Sequence, residues 1–358
     1  MNRSNYNFGL HCLALLTAAA TFPLIFMGGL VTSHHAGLAV PDWPNSFGYN
    51  MFLFPPRLWL GGILYEHTHR LAATIVGLLS ILLCIWAWVV ESRRWVCWLG
   101  TAVLGAVIFQ GILGGLRVVL VNLDLAMVHG CFAQAFFCLT ALMAVVTSKW
   151  WMTAPDLGDA PDSSQGRRLL VASLLTVMVV YSQLIIGAVM RHEGAGLAVP
   201  DIPLVYGKLL PPTNPRQLAD INALRAWKLD LPPVTLGQIW IHYAHRVGAV
   251  VVTLAILGLA LHILLFHRRR RELRNLAVVL LVLLGTQLAL GLATVYFRKP
   301  ADVASAHVAV GALVLMSSFV LAVRAARLYD RHGRLLMAWR QSPAIEGAAA
   351  RKRMLNPL

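Results

Sequence analysis

The sequence predicts an all-α integral membrane protein, with eight transmembrane helices forming two four-helix bundles related as a parallel repeat. Three observations carry this. The 358-residue chain is 58% hydrophobic and 13% charged, with a mean hydropathy of +0.68, which leaves too little polar surface to cover a soluble globule. Apolar runs of about 20 residues, enough to cross a ~30 Å hydrocarbon core, recur along its length. A nine-residue phrase also occurs twice, AGLAVPDWP from Ala36 to Pro44 and AGLAVPDIP from Ala195 to Pro203, identical at eight positions and offset by 159 residues.

In order, the expected spans fall at 11–32, 63–90, 95–116, 125–147, 169–190, 237–265, 275–296 and 303–325. The first reads as a span rather than a cleaved leader, because no small-residue cleavage site follows it and the phrase begins straight after. Each half holds an even number of spans, so both enter the membrane from the same side and the repeat is parallel. The phrase opens the long loops after spans 1 and 5. The offset grows from 159 at the phrase to 176 at His69 and His245, which gives the second loop 17 extra residues. Loops of this length predict a cap over a site. The expected domains are an N-terminal half (1–150), a Pro/Asp/Ser/Gly-rich cytoplasmic linker (151–168), a C-terminal half (169–326) and a basic tail (327–358).

A net charge of +15 could point to nucleic acid, but 19 of the 30 Lys and Arg lie before span 1, in the 2–3, 4–5 and 6–7 connections, or from the end of span 8, beginning at Arg324, to the C-terminus. That bias places both termini in the cytoplasm and both copies of the phrase outside. The tail, with Arg351-Lys352-Arg353, then reads as a topogenic segment touching lipid, and no nucleic-acid partner is expected. All five cysteines fall inside apolar spans, so no structural disulfide is implied.

Histidines follow each phrase in matched order. Glu66-His67-Thr68-His69-Arg70 and then His129 stand in the first half, His242-Tyr243-Ala244-His245-Arg246 and then His307 in the second. Each pair sits one to two turns into two helices that run the same way, hence at one depth. Two imidazoles at one depth suit the axial positions of a haem iron, whereas zinc asks for three or four clustered ligands. His67 and His69 cannot share a helix face, and only His69 has a counterpart of its own type, so His69 is the expected ligand. His242, one turn before His245, is a weaker candidate.

Arg70 and Arg246 are left between pairing with a haem propionate and reaching the headgroups. Gln110 corresponds to Gln287 and Gly114 to Gly291, read as interhelical hydrogen-bonders and close-packing positions. Glu66 has two readings: a buried carboxylate paired with Arg70 or Arg117, or a proton-handling group beside a reactive centre. His34, His35 and His192 read as interfacial polar residues, and His262 and His267 as lying at the far end of span 6.

With these residues in place the chain resembles the haem A synthase family. The resemblance rests on the eight spans, Gly28-Gly29-Leu30-Val31-Thr32 leading into the first phrase, Glu66-x-x-His69-Arg70, and the stretch from Arg191 to Ala198. Many members carry loop cysteines, and this chain, with Val40 and Val199, resembles a cysteine-free branch. The resemblance implies oxidation of the C8 methyl of haem O to a formyl group, giving haem A for terminal oxidases. It implies a haem b cofactor on His245 and His307 and a substrate haem on His69 and His129, in a cell (inner) membrane; Glu66, which the repeat sets opposite His242, is the expected catalytic group. Haem O synthase and an electron donor are the expected protein partners, and a homo-oligomer is left open. The alternative is a di-haem b-type electron carrier acting with quinone; a parallel-repeat transporter is the third reading.

Overall fold

In the computed structural model, the residues described are 6–155, 157 and 163–330. They form α1 (Phe8–Ser33), α2 (Gly62–Val90), α3 (Arg94–Val119), α4 (Leu123–Thr147), the short α5 (Lys149–Thr153), α6 (Ser163–His192), α7 (Pro215–Leu224), α8 (Leu236–Phe266), α9 (Arg271–Tyr296) and α10 (Ala301–Tyr329). Eight of these are long and apolar enough to cross a membrane, one for each expected span. This is a multi-pass membrane protein.

Local sequence sets several boundaries. Asn7 and Asn122 cap α1 and α4 through their side-chain oxygens, and Thr235 caps α8 in a reciprocal capping box with Gln238. Buried hydroxyls inside the spans bond back to their own helix, as Thr17 does to Leu13, Ser80 to Val76 and Ser318 to Val314, so they need no water.

Helices α1 to α4 pack in sequence into a closed ring, with α4 against α1, and α6, α8, α9 and α10 do the same. The halves meet where α1 packs on α10, α4 on α6, and α4 on α10. Exchanging the halves turns the first contact into the second and leaves the third unchanged, as a two-fold between α4 and α10 would. Those two spans are also the most enclosed. Outer helices turn large apolar residues outward, among them Val89, Met178, Leu254 and Val282, the inverse of a water-soluble bundle.

The extra residues of the second loop form α7 and the π turn Arg225–Leu229, elements that neither hydropathy nor the repeat leads one to expect. Asn214 caps α7 through its side chain and Pro215 opens it, a legible start signal. Linker residues 156 and 158–162, and the tail beyond residue 330 with Arg351-Lys352-Arg353, lie outside the described residues.

Candidate functional site

The two phrases fold alike beyond their shared letters. In the first loop Asp42 accepts the backbone N–H groups of Phe47 (2.7 Å) and Gly48 (2.8 Å); in the second, Asp201 accepts those of Tyr206 and Gly207 (both 2.9 Å). Phe47, Gly48, Tyr206 and Gly207 all have positive φ, and Ser46–Tyr49 and Val205–Lys208 pair as isolated bridges. The aspartate closes each turn by bonding the left-handed backbone it encloses. Burial works against ionisation of Asp42, but the two N–H bonds and the Arg70 charge outweigh it and hold its carboxyl below the usual range.

An arginine one residue after the first expected ligand of each half fastens these turns to the helices. Arg70 Nη1 donates to the carbonyls of Asp42 (2.7 Å) and Asn45 (3.0 Å), and its Nη2 to Val40 (2.9 Å). Arg246 repeats the set with Asp201 (2.7 Å), Leu204 (3.0 Å) and Val199 (2.6 Å). Both guanidinium groups are thus engaged with the loops. A bidentate donor spanning several carbonyls fixes a loop as one charged point could not.

Glu66 is 1% exposed and gathers three donors. Its Oε1 lies 2.9 Å from Arg70 Nη2 and 4.0 Å from Arg117 Nη2, and its Oε2 accepts the Val40 N–H at 2.8 Å. The paired-carboxylate reading is thus realised with both arginines. His242 occupies the matching place in the second half and meets the Ala195 carbonyl at 2.9 Å, which turns this weaker candidate toward its loop. His67, also buried, points to Ser46 Oγ (3.2 Å) between Phe54 and Trp59.

Each of the four expected ligands lies against a glycine of the neighbouring helix. A Cβ on Gly28 would come 3.2 Å from His69 Cε1, one on Gly114 3.1 Å from His129, one on Gly187 2.9 Å from His245, and one on Gly291 3.2 Å from His307. The His245 and His307 rings meet edge to face, centroids 6.4 Å apart. Gln110 and Gln287 do bond across helices, Gln110 Nε2 to the His129 carbonyl at 2.8 Å and Gln287 Nε2 3.4 Å from His307 Nε2. Among the other histidines, His34 stacks on Tyr65, His192 meets Asp124, and His267, just past the end of α8, contacts Tyr329.

Three residues escaped the sequence reading. Gln183 donates to the His245 carbonyl at 2.7 Å and lies 3.1 Å from His245 Nδ1; the shared spacing of Gln110–Gly114, Gln183–Gly187 and Gln287–Gly291 was its signal. Arg225 is buried within the second loop, on Pro232, Leu197 and the Tyr206 hydroxyl. Arg191 spans the halves, reaching the Gly29 carbonyl (2.7 Å) and Ser33 Oγ (2.6 Å). Nothing local in the sequence marks Arg225, and Arg191 stands out only as the first residue of the stretch that carries the resemblance.

Residues 62–319 match the model of the COX15-CtaA family, described as a cytochrome oxidase assembly protein, which takes in both histidine pairs and the four helices that bear them. The chain belongs to this family. Its relatives include the heme A synthase of Shewanella oneidensis, 26% identical over 85% of this chain and 93% of that protein. Those of Shouchella clausii (28%, over 80% and 87%) and Erythrobacter litoralis (29%, over 71% of each) carry the same name.

The donor chemistry of this COX15-CtaA member suits a haem in each half. Among the described residues no three His, Cys, Asp or Glu side chains converge, as a zinc site would need, whereas imidazoles come in pairs. Nδ1 of His69, His129 and His307 is buried with no partner in the described structure. The glycine cradles leave space for an imidazole edge that any side chain would fill.

Proposed function

We propose that the chain is a haem A synthase, an oxidoreductase that converts the C8 methyl of haem O to a formyl group. The observation that carries this is the duplicated histidine pair combined with an unduplicated charge cluster. Both halves present two cradled imidazoles, but only the first adds Glu66 and Arg117, whose counterparts are His242 and Thr294. A simple di-haem carrier has no use for that difference.

In this reading His69 and His129 hold the substrate haem, and His245 and His307 hold haem b. When bound, haem b supplies one-electron redox chemistry to the second half. Oxidising a methyl to a formyl group by two successive monooxygenations (–CH3 + O2 + 2 e− + 2 H+ → –CH2OH + H2O, then the same at the alcohol and loss of water from the gem-diol) takes its electrons from the electron donor and needs a proton-handling group beside the substrate. Glu66, one turn before His69, is the acid placed to take a proton or to stabilise positive charge on the carbon being oxidised. The first loop, held by Arg70 and by the Val40 N–H on Glu66, covers the site and keeps water away. The chain lies in the cell (inner) membrane with both termini cytoplasmic and both clamped loops outside, where an amphiphilic haem delivered by haem O synthase enters between helices. An electron donor completes the set of partners.

Replacing His245 or His307 by Ala should remove most tightly bound haem b and its low-spin spectrum. Haem content and spectra matching wild type in both variants would refute the assignment of that pair.

A further inference from the structure

Arg117 is a largely buried cation that the first half leaves without a matched acid. Its Nη2 approaches Glu66 Oε1 only to 4.0 Å, outside hydrogen-bond distance, while Glu66 is already held by Arg70 at 2.9 Å and the Val40 N–H at 2.8 Å. Asp42, the acid of the first loop, is closed on the N–H groups of Phe47 and Gly48. Arg117 Nε is buried and meets no partner among the described residues, and the side chain is 15% exposed. Two guanidinium groups thus share one carboxylate, and an unpaired charge so placed is costly unless an anion joins it.

The placement of that charge bears on the haem site. Arg117 stands in the last turn of α3, three residues after Gly114, so it shares a helix face with the glycine that cradles His129. It lies within electrostatic reach of both His69 and His129. Its guanidinium packs on the first loop at Gly37, where an added Cβ would come 2.8 Å from Nη1. In the second half Thr294 takes the position of Arg117, and its hydroxyl turns back to the Leu290 carbonyl at 2.7 Å. The residue over the matching Gly196 is there Lys299, exposed, in the connection to α10. The first half thus has a held, planar fork where the second has an exposed point charge.

Haem O is a dicarboxylate, and one of its pyrrole rings carries both the C8 methyl and a propionate. Two axial imidazoles leave rotation of the macrocycle about the line between them free, so they do not by themselves choose a methyl. An Arg–carboxylate pair is planar and bidentate, and it removes that freedom. We propose that Arg117 binds the propionate beside the C8 methyl and thereby selects which methyl of the substrate is oxidised. Arg117 and Glu66 are neighbouring side chains, and the propionate and the methyl are neighbouring substituents, so holding one at Arg117 presents the other to Glu66. The inference rests on the haem reading above and adds a substrate-binding residue that sets the position of attack.

The test uses the full chain in nanodiscs with haem b retained in the second half, titrated with ferric haem O or with its propionate dimethyl ester in the absence of an electron donor. Low-spin uptake that is lost in His69→Ala reports binding to the first half. Arg117→Gln should weaken the free acid by about 10- to 100-fold relative to the diester, the scale of a charge-assisted hydrogen bond, and Arg117→Lys should weaken it less. Proton NMR of haem O labelled in its methyl groups should show one set of shifted methyl resonances in wild type and more than one in Arg117→Gln, as the haem loses its fixed rotation. Equal weakening of acid and diester by Arg117→Gln would make Arg117 a support for Glu66 and the loop and would overturn the proposal. An unchanged affinity for both, or a single set of resonances in both proteins, would overturn it too. No low-spin uptake by the wild-type first half would instead refute the haem reading itself.

Discussion

Asp42, Arg70 and Glu66 act as one unit, each holding a different part of the first loop to α2. Asp42 has a depressed pKa in the folded chain, so its contribution is present above the unfolded value near 4 and fades as pH falls through the lower folded value. The turn at Phe47 and Gly48 should therefore stay closed at neutral pH and open only in stronger acid. Hydrogen exchange at those two amides reads this directly, and Asp42→Asn should expose them at pH 7. In the second loop, Arg246→Gln removes a charged donor from three carbonyls, each such bond being worth about 1.5–3 kcal/mol before non-additivity. Protection across residues 199–208 should fall at least about tenfold. Unchanged protection would show that the loop does not depend on the clamp.

At the scale of elements, the cradles make a sharp steric claim. A Cβ on Gly187 already lies 2.9 Å from His245 Cε1, so Gly187→Val must displace the ring. It should abolish tight haem binding in the second half, whereas the same change at Gly258, where a Cβ meets open space, should not. Matched haem content in the two variants would contradict the cradle. The spans and the four cradled histidines were legible because hydropathy and a duplicated histidine spacing are properties of the linear chain. The roles of Arg70 and Arg246 were not, because their acceptors are loop carbonyls, which no side-chain pattern announces. Gln183 was legible in principle, since its spacing to Gly187 repeats that of Gln110 and Gln287; it lacks a first-half twin, and comparing the halves position by position passes over it. Helix α7 was missed because it lies in the insertion, where the repeat offers no template.

Over the whole molecule the two halves are alike in scaffold and unlike in charge, and Arg191 ties them through Gly29 and Ser33. The basic bias places Ser163 on the cytoplasmic side and Asn214 outside, which reporter fusions at those residues test; a cytoplasmic signal at Asn214 would overturn the topology. The unlike charges lead to the central claim, that oxidation occurs in the first half. It is tested most directly by expressing wild type and Glu66→Gln with a haem O-producing partner and separating the extracted haems by chromatography. Wild type should yield haem A. Glu66→Gln should keep haem b on His245 and His307 while haem O or a hydroxylated intermediate accumulates, with turnover reduced by ~10²–10⁴, the range for a positioned acid or base. Haem b alone from wild type, with haem O untouched, or full haem A production by Glu66→Gln, would contradict the account.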